Sequence, residues 1–464
     1  MRADRLTAPV EGMEEALAAV DAFDEALVAG LLRPRPTGGD GGVTRLAEAV
    51  AGSPLAAVTA EASAKAAAGA AGEDHFVALA AARTALLGAA HDALLLRAEE
   101  ATGRSREEPG DPAAGQDAPA NLLTAARAWL CDLARCGWQG LDHEVVSGAA
   151  EVVSAMLPEP SLRRLAFLLD GFAAELAASC PGSSMERFPA RRWADLWTRG
   201  MLLTLPGAVG TPVTGTADGR LLPLGIDLQE HPTAAQAQVH AVLEPADGSA
   251  PRLVRAAVSV PKPDTVLGAG VWQLLRPHMS LLAAAGEGRS MELTGMPVTA
   301  EGDLIWSDDH ARTGEPAEAF ATARVALPTA SAPVTAPLDR HPARIAVPVF
   351  LEGYTPRTGE DGTVTFTVAG VDLTVDTDRI PTAGPLTPEA VARSGACIAL
   401  VRWDAGEFTL QPLAVETTVR KKVTAVHAGA WAGGTTDKAG ARAEKAATDA
   451  VKVLSERAGR LLRK

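Results

Sequence analysis

The sequence contains few cysteines and few aromatic residues. Its 464 residues include four cysteines, and aromatic residues make up 4% of the chain. Four cysteines are too few for a disulfide framework in a chain of this length, so we expect reduced thiols at Cys131, Cys136, Cys180 and Cys397. The core is expected to consist mainly of small aliphatic side chains. The abundance of Ala, Gly, Pro and Arg fits a GC-rich bacterial genome and carries no functional information.

The sequence also lacks long apolar runs. No window offers the roughly 20 consecutive apolar residues that span a bilayer. The amino terminus, Met1 to Arg5, has no apolar stretch of the kind found in secretory signals. Because the apolar fraction is 47% and the charged fraction 22%, the composition is that of an ordinary soluble globular protein. These features predict a cytoplasmic protein without membrane insertion.

No catalytic or cofactor signature is present. The chain has no Gly-x-Ser-x-Gly elbow, no His-Glu-x-x-His pair and no Gly-x-Gly-x-x-Gly after a predicted strand. A catalytic group assembled from distant residues would leave no such signature. On balance the sequence favours a non-enzymatic protein that needs no cofactor.

The residue pattern changes at Leu205-Pro206-Gly207. Before this point apolar residues recur every three or four positions, as in amphipathic helices; Val10, Met13, Leu17 and Val20 are one example. After it, short segments alternate between apolar and polar residues around Asp-Gly and Ala-Gly turns, which is typical of hairpins. We therefore predict a multidomain α and α+β protein.

The predicted domains follow from this change of pattern. Residues 1–205 should form an all-helical domain with a mobile loop at about 104–119, and residues 206–419 a hairpin-rich α+β domain built on an antiparallel sheet or partial barrel. Residues 420–464 should form a basic tail with a Gly-rich linker and a terminal helix. Three hairpins are expected, around Asp247-Gly248, Ala369-Gly370 and Asp404-Ala-Gly406. A further strand, 345–351, contains Pro348 and is predicted at a sheet edge.

Charge is distributed unevenly along the chain. Residues 420–464 contain eleven Lys or Arg and four acids, whereas residues 1–419 contain 32 Lys or Arg and 53 acids. An acidic body repels nucleic acid and anionic membranes, while a basic segment attracts them or binds the acidic body. The basic tail therefore predicts contact with the body or with a protein partner, and nucleic-acid binding is possible but not favoured.

Two polar clusters are the candidates for catalysis or metal binding. Asp308, Asp309 and His310 are consecutive and have side chains that could bind a divalent metal or transfer protons. Neighbouring residues of a strand point to opposite faces, so the three converge only if the chain turns there. Asp227, Glu230 and His231 form a second cluster before Pro232. The alternative in both places is a solvated surface loop, which is the ordinary environment of charged residues.

Two further segments permit two interpretations each. Trp193 and Trp197 lie one helical turn apart among arginines and would serve either as interface anchors or as packing against the second half of the chain. The glycine-rich segment 428–436 precedes a helix, as a phosphate-binding loop does, but it lacks the Gly-Lys-Ser/Thr order. A flexible linker is the preferred interpretation of this segment.

The leading hypothesis from the sequence is a non-enzymatic scaffold or adaptor that binds protein partners. The residues predicted to bind them are Trp193, Trp197, Lys452, Arg457, Arg460 and Arg463. The alternatives are a metal-dependent hydrolase that uses Asp227, His231, Asp308, Asp309 and His310, and a protein that binds nucleic acid through the terminal helix.

Overall fold

Helices form the first part of the chain, as predicted. The computed structural model describes residues 1–32, 41–107, 118–208, 213–419 and 422–461. Up to residue 208, the described ranges contain helices α1 to α10, which are Asp4–Thr7, Met13–Ala29, Gly42–Ala49, Ala56–Ala67, Glu73–Thr102, Ala120–Cys136, His143–Ser147, Ala149–Met156, Arg163–Ala178 and Ala190–Leu203. The Asp142 carboxylate caps helix α7 by accepting a hydrogen bond from the Val145 amide. Helix α9 follows a short 3₁₀ turn, Pro160–Leu162.

Helix α5 connects the helical region to the rest of the molecule. Its first half, including Phe76 and Leu79, lies in the core formed by the other helices. Its second half, including Leu94 and Ala98, lies in a different core that it shares with a β-sheet. Among the described residues, α5 is the one helix long and apolar enough to cross a membrane by length and composition, and 44% of its most apolar window is buried inside the protein.

The second part of the chain begins with a small barrel. Its strands β1 to β6 are Val213–His231, Ala234–Pro245, Arg252–Pro261, Arg289–Thr299, Asp303–Leu304 and Ala311–Pro316. They pair in the order β1-β2-β3-β5-β4-β6, and β1 also pairs with β4, so the pairing closes on itself. Two short helices, α11 (Gly270–Leu275) and α12 (Leu281–Glu287), contribute Trp272 and Leu282 to the barrel core. A third helix, α13 (Ala319–Val325), packs against β1.

A second sheet follows the barrel. Its strands β7 to β13 are Val347–Glu352, Thr355–Thr358, Val364–Val368, Val371–Val375, Ser394–Asp404, Glu407–Val419 and Lys422–His427. They pair in the order β7-β11-β12-β10-β9-β8, and β13 also pairs with β12. A short helix, α14 (Pro388–Val391), precedes β11, and the last helix, α15, is Lys438–Leu461. The predicted fold class, helical followed by α+β with a terminal helix, is therefore confirmed.

All three predicted hairpins are present. They are the antiparallel pairs β2–β3, β9–β10 and β11–β12. Strand β7, which contains Pro348, lies at one end of the sheet order, as expected from its missing amide donor. Strand β1 was not predicted, because the consecutive buried residues Leu221 to Leu224 do not show the alternation of a half-exposed strand.

The predicted mobile loop 104–119 lies partly outside the described residues, and its first residues are packed against the body. In the predicted mobile loop 104–119, residues 108–117 lie outside the described ranges. The residues before them contact the body: Arg104 is buried and donates a hydrogen bond to the Pro348 carbonyl, and the Glu107 amide donates to the Ala332 carbonyl. Cys131 and Cys397 are fully buried core residues, and burial raises the pKa of Cys131 to about 12.

Candidate functional site

The structure separates the side chains of Asp308, Asp309 and His310. The Asp308 carboxylate accepts hydrogen bonds from the Ser280 amide, the Ser280 hydroxyl and Trp306 Nε1, at 3.1, 2.6 and 2.7 Å. Partial burial opposes ionisation, but these donors hold the pKa of Asp308 below its usual value. The Asp309 side chain is exposed, and His310 Nδ1 lies 2.8 Å from the Thr294 carbonyl oxygen. These contacts give the cluster a structural role, which is to fix the start of α12.

Asp227 and His231 are also apart. They are four residues apart on strand β1, which corresponds to roughly 13 Å along an extended chain. Asp227 is buried and accepts hydrogen bonds from Arg402, Gln411 and Gln229, whereas His231 is exposed and contacts Thr233.

The hypothesis of a metal-dependent hydrolase requires a group of side chains that can bind a metal ion together. Within the described ranges, no group of three or more His, Cys, Asp or Glu side chains is arranged to hold a metal ion.

Trp193 and Trp197 cannot anchor a partner in this fold. Both are buried in the core of the helical region, with exposed fractions of 1% and 0%. The Trp193 ring contacts Trp138 edge to face at 5.8 Å between centroids, and Trp197 Nε1 donates a hydrogen bond of 2.8 Å to the Leu130 carbonyl. The predicted interface role is therefore wrong. The alternative, packing against the second half of the chain, is also wrong, because large apolar side chains on this face of α10 are covered by neighbouring helices.

The glycine-rich segment 428–436 is packed against the body. Ala428 and Ala432 are buried, and the Arg276 guanidinium donates hydrogen bonds to the carbonyls of Ala432 and Trp431. A side chain at Gly429 would overlap Ile226, since its Cβ would lie 2.6 Å from the Ile226 Cδ1 atom. These glycines allow close approach of the backbone, and the prediction of a free linker is wrong.

The basic tail is partly integrated into the fold. Strand β13 belongs to the second sheet, so the first described residues of the predicted tail pair with β12. Helix α15 begins after Asp437, whose carboxylate accepts hydrogen bonds from the amides of Ala439 and Gly440. Lys452 is exposed on α15. The side chains of Arg457 and Arg460, and all of Arg463, lie outside the described part of the chain.

Helix α15 docks on α11. Ala447 is buried there, and the Cβ of a side chain at Gly270 would lie 2.1 Å from the Ala447 Cβ. Arg276 Nη2 donates a hydrogen bond of 3.0 Å to Glu444 Oε1, and Gln273 Nε2 donates one of 3.1 Å to the Glu444 carbonyl. The ion pair therefore joins an acid of the tail to a base of the body, which is the reverse of what the overall charges predict.

An arginine-lined cleft lies between the helical region and the segment that precedes β7. Its volume is about 440 Å³, and α5, α10 and residues 338–344 form its walls. Six arginines of the described residues line it: Arg83, Arg191, Arg192, Arg199, Arg340 and Arg344. The sequence identified the arginines of α10 as unusual but not this cleft. The distance in sequence between α10 and residues 338–344 conceals their contact.

Acidic side chains pair with the arginines of this cleft: Arg191 pairs with Asp21, Arg192 with Glu175 and Arg340 with Asp92. Arg83 is buried and forms a two-bonded ion pair with Asp24, at 2.6 and 2.8 Å, and a third bond with Asp195 at 2.6 Å. Burial raises the pKa of Asp24 to about 6, against the opposing effect of Arg83. His341 Nε2 lies 3.3 Å from the second oxygen of Asp195. Asp195, the acid that lines the cleft, is therefore shared by two basic side chains.

Asp339 is shared by three arginines. Its carboxylate lies 2.9 Å from Arg199 Nη1, 2.7 Å from Arg344 Nη1 and 3.9 Å from Arg164 Nη2. One negative charge thus faces three positive charges at this end of the cleft. Partial desolvation and the charges of Arg199 and Arg164 lower the pKa of Arg344, against the effect of Asp339.

Comparison with known proteins identifies no relative. No protein-family model, no curated protein and no solved structure matches this chain.

Proposed function

We propose that the protein is a non-enzymatic interaction protein that binds an acidic protein surface through one face of helix α15. The observation that carries the proposal is the division of this helix into two opposite faces. One face holds the helix on the body, and the other presents basic side chains to solvent.

The docking face consists of Gly440, Glu444, Ala447 and Thr448. Gly440 packs on Trp431, Ala447 on Gly270, and the other two contact Gln273 and Arg276. At about 100° of rotation per residue, these positions occupy roughly 100° of the helix circumference.

The basic face lies on the other side of the helix. Lys438, Arg442, Lys445 and Lys452 are exposed and fall within a sector of about 80°, centred opposite Ala447. Two exposed acids, Asp449 and Glu456, lie among them, so bases outnumber acids by four to two on the described part of this face. In the described residues, no ion pair joins these bases to an acid of the body, so their charges are available to a partner.

An acidic protein surface fits this face better than a membrane. The basic side is formed by charged side chains on an alanine-rich helix, and its apolar docking side is occupied by α11. A helix that inserts into a membrane surface needs a free apolar face. Oppositely charged surfaces increase the rate of association and select the partner.

The experiment measures binding of fluorescein-labelled poly-glutamate to the full chain at low ionic strength. A triple variant, Arg442→Glu, Lys445→Glu and Lys452→Glu, is expected to weaken binding at least about tenfold, because three attractive contacts become repulsive. The matched control is Arg187→Glu, Arg312→Glu and Arg357→Glu, which changes the net charge equally at exposed positions elsewhere. The control should retain wild-type affinity.

Two results would overturn the proposal. Equal weakening by both triple variants would mean that total charge governs binding and that α15 has no special role. Tighter binding of duplex DNA than of poly-glutamate, with a steep dependence on salt and loss in the α15 variant, would assign the helix to nucleic acid instead.

A further inference from the structure

The arginine-lined cleft has the chemistry of an anion-binding site, separate from α15. Guanidinium groups that lie close together repel one another unless acids balance their charges. At Asp339, three guanidinium groups share one carboxylate. An additional anion would relieve the repulsion among these guanidinium groups.

Donors are available where such an anion would lie. Arg344 lines the cleft and donates to Asp339 through Nη1, and its side chain is 53% exposed, so part of its guanidinium is accessible to a ligand. Arginine is suited to this task because its planar group binds phosphate or carboxylate through two parallel hydrogen bonds.

A second, independent observation comes from the floor of the cleft. Thr198 lines the cleft and is 97% buried. Its hydroxyl has no hydrogen-bond partner among the described residues. A buried polar group without a partner is costly, and in native proteins it often marks a place where a ligand or water completes the bonding.

The size and remaining walls define the class of ligand. A volume of about 440 Å³ is in the range of pockets for small organic molecules. Leu87, Leu196 and Leu338 provide apolar surface beside the arginines. The site therefore suits a molecule with more than one anionic group better than an ion with a single anionic group.

We propose that the cleft between α10 and residues 338–344 binds a small polyanion, with its phosphate or carboxylate groups held by Arg344 and the neighbouring arginines. A guanidinium binds phosphate and carboxylate groups with the same geometry, so the anionic groups of the ligand are of either kind.

The test is isothermal titration calorimetry of the full chain with pyrophosphate and with citrate at low ionic strength. Saturable binding of at least one of them, with one site per chain, is expected. The comparison of the two separates phosphate from carboxylate recognition. Arg344→Gln should weaken binding about tenfold or more, which is the usual effect of losing a charged hydrogen bond.

Two further variants make the result specific to the cleft. Arg163→Gln removes a positive charge at an exposed position of α9, but Arg163 neither pairs with Asp339 nor lines the cleft, so the affinity of this variant should stay within about threefold of wild type. Ala343→Glu places a negative charge at an exposed position of the cleft wall and should abolish binding.

Several outcomes would overturn the inference. These are absence of binding by both polyanions, equal affinity of Arg344→Gln and wild type, or equal weakening by Arg163→Gln and Arg344→Gln. The triple α15 variant distinguishes the two proposals: loss of pyrophosphate or citrate binding in that variant would place the anion on the helix and contradict a site in the cleft.

Discussion

The Asp227 carboxylate in the barrel accepts a 2.7 Å hydrogen bond from Arg402 Nη2 in the second sheet, and both side chains are buried. Gln411 completes the contact by donating a 2.8 Å bond to the other carboxylate oxygen. Burial alone would raise the pKa of Asp227, but the charge of Arg402 and the bonds from Gln229 and Gln411 hold it below its usual value. Asp227 therefore joins the two sheets as a buried anion.

Asp227→Ala is expected to lower the free energy of unfolding by about 3–5 kcal/mol. The reason is that Arg402 would remain buried without its counter-ion. Urea denaturation monitored by circular dichroism measures the change. Asp309→Ala, at an exposed carboxylate, is the control and should change the unfolding free energy by less than about 0.5 kcal/mol. A loss below about 1 kcal/mol for Asp227→Ala would contradict a structural role for this pair.

His240 predicts a loss of stability in acid. Burial, with Arg402 and Arg255 nearby and against the effect of Asp227, lowers the pKa of His240 to about 3. Between pH 6.5, the usual value, and about 3, the unfolded chain binds a proton that the folded protein does not. The contribution of His240 to stability is therefore complete above pH 6.5 and is lost as the pH falls toward 3.

The measurement is the unfolding free energy of wild type and His240→Leu from pH 7 to pH 4. The wild-type value should fall more steeply than that of the variant, by up to about 1.4 kcal/mol per pH unit. Other groups, including Asp227, titrate in both proteins, so the difference between the two slopes isolates the histidine. Parallel slopes would show that His240 gains a proton in the folded state.

Gly270→Val should detach helix α15 from α11. The Cβ of the new side chain would overlap Ala447, and overpacking of this kind costs about 1–3 kcal/mol. The fraction of molecules with α15 undocked should rise by roughly five- to a hundredfold, which limited trypsin cleavage within α15 would detect. Gly171→Val is the matched control, since a side chain there meets no atom within 4 Å. Unchanged cleavage in Gly270→Val would contradict the docked position.

Trp197→Ala tests whether this residue belongs to the core. Its ring is fully buried beside Phe23, so truncation should lower the unfolding free energy by about 3–5 kcal/mol. An interface anchor would behave differently: its loss would weaken partner binding and leave stability nearly unchanged. Trp306→Ala is the comparison at a half-buried position, and it should lower the unfolding free energy clearly less than Trp197→Ala does. Equal losses would argue against the central position of Trp197.

The sequence predicted features that depend on neighbouring residues. The hairpins at Ala369-Gly370 and Asp404-Ala-Gly406 depend on turn residues and alternation over a few positions, and both are present. These local patterns leave few alternative conformations, so the general fold class followed from them.

Features that depend on distant contacts were not predictable. The pattern around Trp193 cannot show which helices cover it, and Asp308 resembles a ligand until Ser280 and Trp306 are placed beside it. The arginine-lined cleft joins α10 to residues more than a hundred positions further along the chain. Sequence spacing carries no information on such contacts without a known topology.

The two cores that share α5 have a consequence for folding cooperativity. If the second half of the chain were removed, Leu94 and Ala98 would lose the sheet residues that cover them, while Phe76 and Leu79 would keep their helical neighbours. A fragment of residues 1–205 would then retain part of its core and fray at the carboxyl end of α5. In the intact protein this continuous 30-residue helix belongs to both cores, so the helical region and the second sheet should unfold together. We therefore expect one thermal transition, whereas the sequence pattern alone would predict two.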